Sequence, residues 1–133
     1  MQTLHQLITR HGSDVLEHLD RQATIPVTDA PQIQGDVSIL PVTRVAATTP
    51  VGPAGVAVVR GENGGNTHSL HGDGPILFDA FTGGGMILGI LTVPAGSTAW
   101  LAHPEHGYMG IAPGTYSIGR QREQADEIRM AAD

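Results

Sequence analysis

The sequence predicts an all-β protein, an antiparallel β barrel or sandwich of about seven short strands with an N-terminal helical arm. Three observations favour this fold. Short apolar stretches rich in β-branched residues recur along most of the chain, and each is bounded by Gly or Pro. The 18 glycines and 9 prolines exceed average usage, whereas charged residues make up only 15%. No helical stretch separates the apolar ones, which disfavours an alternating strand and helix fold.

The first part of the chain, residues 1–33, is predicted to form a helical and extended arm. Leu4, Leu7 and Ile8 fall near helical spacing, and Gly12 interrupts the pattern. Prolines within residues 25–34 exclude a helix interior and favour an extended linker. The arm can dock on its own domain or on a neighbouring subunit. We predict contacts outside its own domain, because the linker gives reach and the apolar stripe must be covered.

The β domain is predicted to span residues 34–120, with a short tail at residues 121–133. The strand signals lie in "DVSILPVTRVAA", "GVAVVRGE", "PILFDAF", "GGMILGILTVP", "TAWLAHP", "YMGIAPG" and "TYSIGRQ". Alternation of apolar residues within these stretches predicts which side chains face the core. The residues expected to face inward are Val37, Ile39, Val56, Val58, Leu88, Ile90 and Trp100.

Charge and composition restrict the partners of the protein. Seven arginines and no lysine stand against 13 acidic residues, a formal net charge of -6, and no basic cluster is present. This balance disfavours nucleic acid as a partner. The chain has no cysteine, which excludes disulfides and thiolate chemistry. No apolar run is typical of a signal peptide or a membrane span, so we expect no membrane partner and a cytoplasmic or virion location.

Four of the seven histidines form two pairs with the same three-residue step, His68 with His71 and His103 with His106. Residues three apart lie on opposite faces of a strand, so each pair can send only one imidazole toward a common point. We expect His68 and His106 to share a region, and His71 and His103 to point away from it. If Glu105 holds this pair of imidazoles, their pKa values should shift toward protonation near neutral pH.

A metal site is one interpretation of these residues. His68 and His106 would supply nitrogen, and Glu105 or Asp73 would supply oxygen, a mixed set that Zn, Mn or Fe accepts. The stretch "VPAGSTAWLAH" resembles the Pro-x-Gly turn before a histidine in cupins, although the fuller cupin pattern is absent. In the other interpretation the histidines are loop residues that form hydrogen bonds with the backbone or with water.

Five segments taken together resemble a family of short, uncharacterised bacterial and phage-encoded proteins. In chain order they are "QGDVSILPV", "GENGGNTH", "LAHPEHG", "PGTY" and "RQRE", and they cover residues 34–123. The resemblance implies a histidine at His68, an acidic residue and a histidine at Glu105 and His106, and a Gln-Arg-Glu ending at residues 121–123. It implies no activity. The arm is an addition to this pattern.

Two classes of function follow. The first is a non-enzymatic structural or binding module that forms a homo-oligomer and needs no cofactor. Its low-charge, Gly- and Pro-rich β domain with an arm is similar in style to head-decoration proteins of tailed phages, which implies a virion-associated role on a capsid lattice. The alternative is a small cupin-like metal-dependent enzyme or a metal-binding protein that uses the histidine pairs.

Overall fold

The computed structural model of the chain describes residues 2–15, 19, 21–60, 67–82 and 85–120. The elements are α1 (Leu4–His11), β1 (Val27–Thr28), β2 (Gln32–Gln34), β3 (Val37–Pro41), β4 (Val56–Val59), β5 (His68–Asp73), β6 (Leu77–Ala80), β7 (Ile87–Val93), β8 (Thr98–His103), β9 (Gly107–Ile111) and β10 (Gly114–Arg120). The tail predicted at residues 121–133 lies outside the described residues. No helix within the described ranges is long and apolar enough to cross a membrane.

Two five-stranded sheets form a sandwich. The first sheet has the order β1-β9-β8-β5-β4, and the second has the order β2-β3-β10-β7-β6. The strands pair antiparallel, apart from β1, which runs parallel to β9. The all-β prediction is confirmed in its sandwich form, since the described strands do not close into a barrel.

The seven apolar stretches each contain a strand, and the structure adds three more. Two of these, β1 and β2, are short strands at the end of the arm. The third is β5, which carries His68 and His71. Its sequence, "HSLHGD", has few β-branched residues and lies in a glycine-rich region, so the signals that identify the other strands are absent there. Both histidines of the first pair therefore lie on a strand.

The main core lies between the two sheets. Val37 and Ile39 are fully buried there, as predicted, and Val56, Val58 and Leu88 pack against it while remaining partly exposed. The other buried members are Leu70, Ile76, Phe78, Leu91, Val93, Ala99, Leu101, Ile111, Tyr116 and Ile118.

Two residues predicted to face this core do not do so. Leu91 and Val93 are the core residues of β7, so strand alternation places Ile90 on the opposite face of the second sheet. Trp100 is buried, but it belongs to a second apolar cluster on the outer face of the first sheet. The sequence pattern showed that these residues alternate, but not which of the two faces was the core.

Helix α1 has clear local signals at both ends. Thr3 is the N-cap residue and forms a capping box with Gln6, in which each side chain accepts a hydrogen bond from the other residue's backbone N–H. Gly12 ends the helix in the left-handed conformation, with φ 77°. The chain then returns along the helix, where Leu4 and His5 donate backbone hydrogen bonds to the carbonyls of residues 23 and 21.

The arm packs on its own domain, so the prediction that it docks elsewhere is wrong. Leu4, Leu7 and Val15 pack against Trp100 and Tyr108 on the outer face of the first sheet. The physical reason is that β8 and β9 place large apolar side chains on this face. The leucine stripe of the arm covers that surface, and burial of both stabilises the contact.

Leu7 is fully buried in this contact. Leu7→Ala should therefore lower the free energy of unfolding by about 2–5 kcal/mol, through lost burial and a residual cavity. The matched control is His5→Ala on the exposed side of the same helix, where a change within about 0.5 kcal/mol is expected. Urea unfolding, followed by the fluorescence of Trp100, measures both. Equal effects of the two substitutions would show that the arm is not packed this way.

Candidate functional site

Strands β5 and β8 distribute histidines to both faces of the first sheet. On β5, Leu70 belongs to the core between the sheets, so His68 shares the inner face and His71 lies on the outer face. Ser69 pairs with Ala102 in the antiparallel register, which places His68 beside His103 at the end of β8. The expectation that His68 and His71 occupy opposite faces is confirmed by their separate contacts.

Three imidazoles form the inner histidine cluster, which consists of His68, His103 and His106. The ring centroids of His68 and His103 are 4.2 Å apart, and those of His103 and His106 are 4.6 Å apart. The rings of His68 and His106 are 6.2 Å apart and nearly parallel, at 17°. The expectation that His68 and His106 share a region is therefore met, with His103 between them.

The prediction that His103 points away from this region is wrong. The rule of opposite faces applies only within a strand, and residues 104–106 form a turn between β8 and β9. His103 Nδ1 accepts hydrogen bonds from the backbone N–H groups of Glu105 and His106, at 3.1 and 3.3 Å. These bonds hold the turn against the ring and bring His106 into the cluster. They also place the proton of neutral His103 on Nε2.

The "QGD" segment at the end of β2 brings the second sheet against the cluster. The buried side chain of Gln34 crosses to the first sheet, where Nε2 donates to the carbonyls of Leu101 and Gly107, both at 3.3 Å. Gly35 follows with φ 61°, and a Cβ there would lie 2.9 Å from His106 Nε2 and 3.6 Å from His68 Nε2. The left-handed backbone favours glycine here, and a side chain at this position would displace the ring of His106.

His68 is held in its neutral form. It is 4% exposed, and burial lowers its pKa to about 4, assisted by repulsion from His103 and opposed by Asp36. The expected shift toward protonation is therefore wrong for His68. Glu105 is exposed, and the contact that it makes with the cluster is through its backbone N–H. Neither ring nitrogen of His68 has a hydrogen-bond partner among the described residues.

The three rings of the cluster differ in orientation. Those of His68 and His106 are nearly parallel, whereas the ring of His103 is tilted by 37° and 34° against them. In the part of the chain that the structure describes, no group of three or more His, Asp or Glu side chains is arranged to hold a metal ion. Metal binding by His68, His106 and Glu105 stays a prediction, which elemental analysis for Zn, Mn and Fe tests.

Asp73 lies on the other face of the first sheet, so it does not join the inner histidine cluster. Its Oδ2 accepts from Arg10 Nη1 at 2.5 Å and from Trp100 Nε1 at 2.9 Å. His11 Nε2 is 3.1 Å from Asp73 Oδ1, an ion-pair distance when the imidazole is protonated. Asp73 therefore connects helix α1 to the first sheet. We call the contacts among Arg10, His11, Asp73 and Trp100 the arm interface.

His71 completes the arm interface. Its ring centroid lies 5.3 Å from that of His11. His71 Nε2 is 2.9 Å from Ser69 Oγ and 3.2 Å from Ser13 Oγ. Burial, with a smaller contribution from His11, lowers the pKa of His71. These residues do not form a catalytic triad, because neither ring nitrogen of His71 contacts an acidic side chain among the described residues.

Sequence reasoning found His68 and His106 but missed the roles of Gln34, Asp36 and His103. The contacts of Gln34 and Asp36 are long-range, and no local pattern shows that the segment after β2 approaches the β8–β9 turn. Strand β5 could have been predicted from "HSLHG", because His68 and Leu70 alternate there with Ser69 and His71.

A family model covers the β domain and all three residues of the inner histidine cluster. It matches residues 33–121 under the description Domain of unknown function (DUF8820). The chain belongs to this family. The match begins at the end of β2 and leaves most of the arm outside it. No curated protein and no solved structure matches the chain.

The pH dependence of stability tests the buried state of His68. The folded-state pKa of about 4 lies below the ordinary value of 6.5, so the unfolded chain takes up a proton first as the pH falls. Between pH 7 and pH 4 the protein should lose up to about 3 kcal/mol of stability through this residue. His68→Gln, which stays neutral, lacks this loss.

Urea unfolding of the native protein and of His68→Gln at several pH values isolates the contribution of His68. The carboxylates contribute equally to the pH dependence of both proteins. His5→Gln on the exposed side of α1 is the control, and its difference from the native protein should stay constant. A constant difference for His68→Gln as well would contradict the buried, neutral state.

Proposed function

We propose that this protein is a non-catalytic structural or binding module that self-associates through an apolar hollow on its second sheet. The hollow has a volume of about 420 Å³ and is lined by Arg44, Phe81, Gly85, Met86 and Ile87. Phe81 is 45% exposed, and Val45, which follows Arg44 in the chain, is 89% exposed. This exposed apolar surface is the observation that carries the proposal, because such surfaces mark interaction sites.

A second copy of the chain is the partner that we favour. In a symmetric dimer the same patch lies on both subunits, and an apolar patch is complementary to itself. Arg44 is the one charged residue that lines the hollow among those described, so no acidic side chains of two copies meet there. The net charge of -6 opposes association only at longer range, where salt screens it.

We further propose that the protein is phage-encoded and acts on a capsid lattice. This part of the proposal rests on composition. A chain with 15% charged residues, 18 glycines and 9 prolines supports a role in assembly rather than catalysis. Within the proposal, the hollow on the second sheet provides the subunit contact.

Native mass spectrometry across a concentration series tests self-association. The native chain should be a dimer or larger, and the double variant Val45→Ser with Phe81→Ser should be monomeric, because polar side chains remove the apolar contact. The control is Val27→Ser with Ile33→Ser, two exposed apolar residues elsewhere. A monomeric native chain, or equal behaviour of the two double variants, would overturn the proposal.

A further inference from the structure

An open trough lies beside the arm interface on the outer face of the first sheet. Its floor is a row of small residues at one level across three strands, Ala57 on β4, Ser69 on β5 and Ala102 on β8, as the strand registers show. Ser13 of the arm forms one wall and Arg60, just after β4, another. The volume is about 440 Å³, within the roughly 300–1,000 Å³ typical of small-molecule sites.

A buried histidine, His71, lines this trough, and one of its ring nitrogens is unpartnered and covered by the neighbouring backbone. His71 is 3% exposed, and its Nδ1 has no hydrogen-bond partner among the described residues. Gly55 lines the trough next to it with φ 81°, and a Cβ there would lie 2.5 Å from His71 Nδ1. Glycine at this position therefore lets the backbone pack directly against the imidazole, where a side chain would not fit.

The position of the His71 proton follows from these contacts. A neutral imidazole has one N–H donor and one acceptor nitrogen. A buried unpaired N–H is rarer and more costly than a buried unpaired acceptor, so Nδ1 is the acceptor and Nε2 carries the proton. The N–H of Nε2 then points at two oxygens, Ser69 Oγ at 2.9 Å and Ser13 Oγ at 3.2 Å.

This tautomer determines the polarity of the trough. The single N–H of His71 Nε2 is shared between the two serine oxygens, so each hydroxyl hydrogen is left to be donated elsewhere, and neither has an acceptor among the described residues. Arg60 is exposed and makes no ion pair with any described residue, which adds a cationic donor. The carboxylate that lines the trough, Asp14, already accepts from Arg21 and from the backbone of Val15.

We propose that the trough binds a small molecule through an oxyanion group, a carboxylate or a phosphate. The group accepts hydrogen bonds from the hydroxyls of Ser13 and Ser69, and the guanidinium of Arg60 supplies the opposite charge. The row of small side chains on the floor leaves room for the rest of the ligand. This site lies on the first sheet and does not depend on the self-association hollow of the second sheet.

The experiment is a titration of the full-length protein followed by amide NMR. Sodium phosphate and sodium acetate are added separately, and sodium chloride at the same ionic strength is the reference. The expected result is a saturable shift of the Ser69 and His71 amides with one or both oxyanions and not with chloride. Saturation by phosphate alone or by acetate alone identifies which oxyanion the site takes. Shifts that follow ionic strength alone, without saturation, would overturn the proposal.

Variants locate the site. Arg60→Gln and Ser69→Ala should each weaken binding by about tenfold or more, as expected for the loss of a charge-assisted or buried hydrogen bond. The matched control is Arg120→Gln, an exposed arginine at the end of β10 on the other sheet, which should bind as the native protein does. If Arg120→Gln weakens binding as much as Arg60→Gln does, the anion responds to overall charge and the site does not exist.

Discussion

The first sheet is covered on both faces, and the properties of the histidines depend on this constraint. The second sheet covers its inner face, and the arm covers its outer face. Strands β5 and β8 alternate their side chains between these faces, so neither His68 nor His71 reaches solvent. Burial disfavours the charged imidazole in both places and lowers both pKa values.

The two faces give the buried histidines different surroundings. On the inner face the rings of His68 and His103 lie 4.2 Å apart at a tilt of 37°, and Gly35 lies beside His68. The third ring of the cluster, that of His106, is exposed. On the outer face the arm covers only part of the sheet, so His71 meets two serine hydroxyls at the edge of an open trough. The inner histidine cluster therefore contributes to the fold and its pH response, whereas the outer face offers donors that a ligand can use.

Several parts of the structure were predictable from sequence for a simple physical reason. The strands that contain β-branched residues between Gly or Pro were found, because local patterning determines them. Strand β5 lacks those residues and was missed. The burial of Trp100 was anticipated, but its face was not, because the sheet has an apolar surface on each side.

The candidate site was only partly predictable, because it forms through long-range contacts. His68 and His106 were identified, yet His103 joined them through a turn that the strand rule does not describe. The location of the arm was also mistaken. Its leucine stripe required a partner surface, and that surface, around Trp100 and Tyr108, lies about a hundred residues later in the same chain.

Histidine NMR tests most directly the claim that the covered sheet keeps its imidazoles neutral. Long-range proton–nitrogen correlations report the charge and the tautomer of each ring as the pH is lowered. The account predicts that His68 stays neutral until the pH nears about 4, and that neutral His71 carries its proton on Nε2. Protonation of His68 at its ordinary value of 6.5 would contradict the account, because it would show that His68 is exposed to solvent.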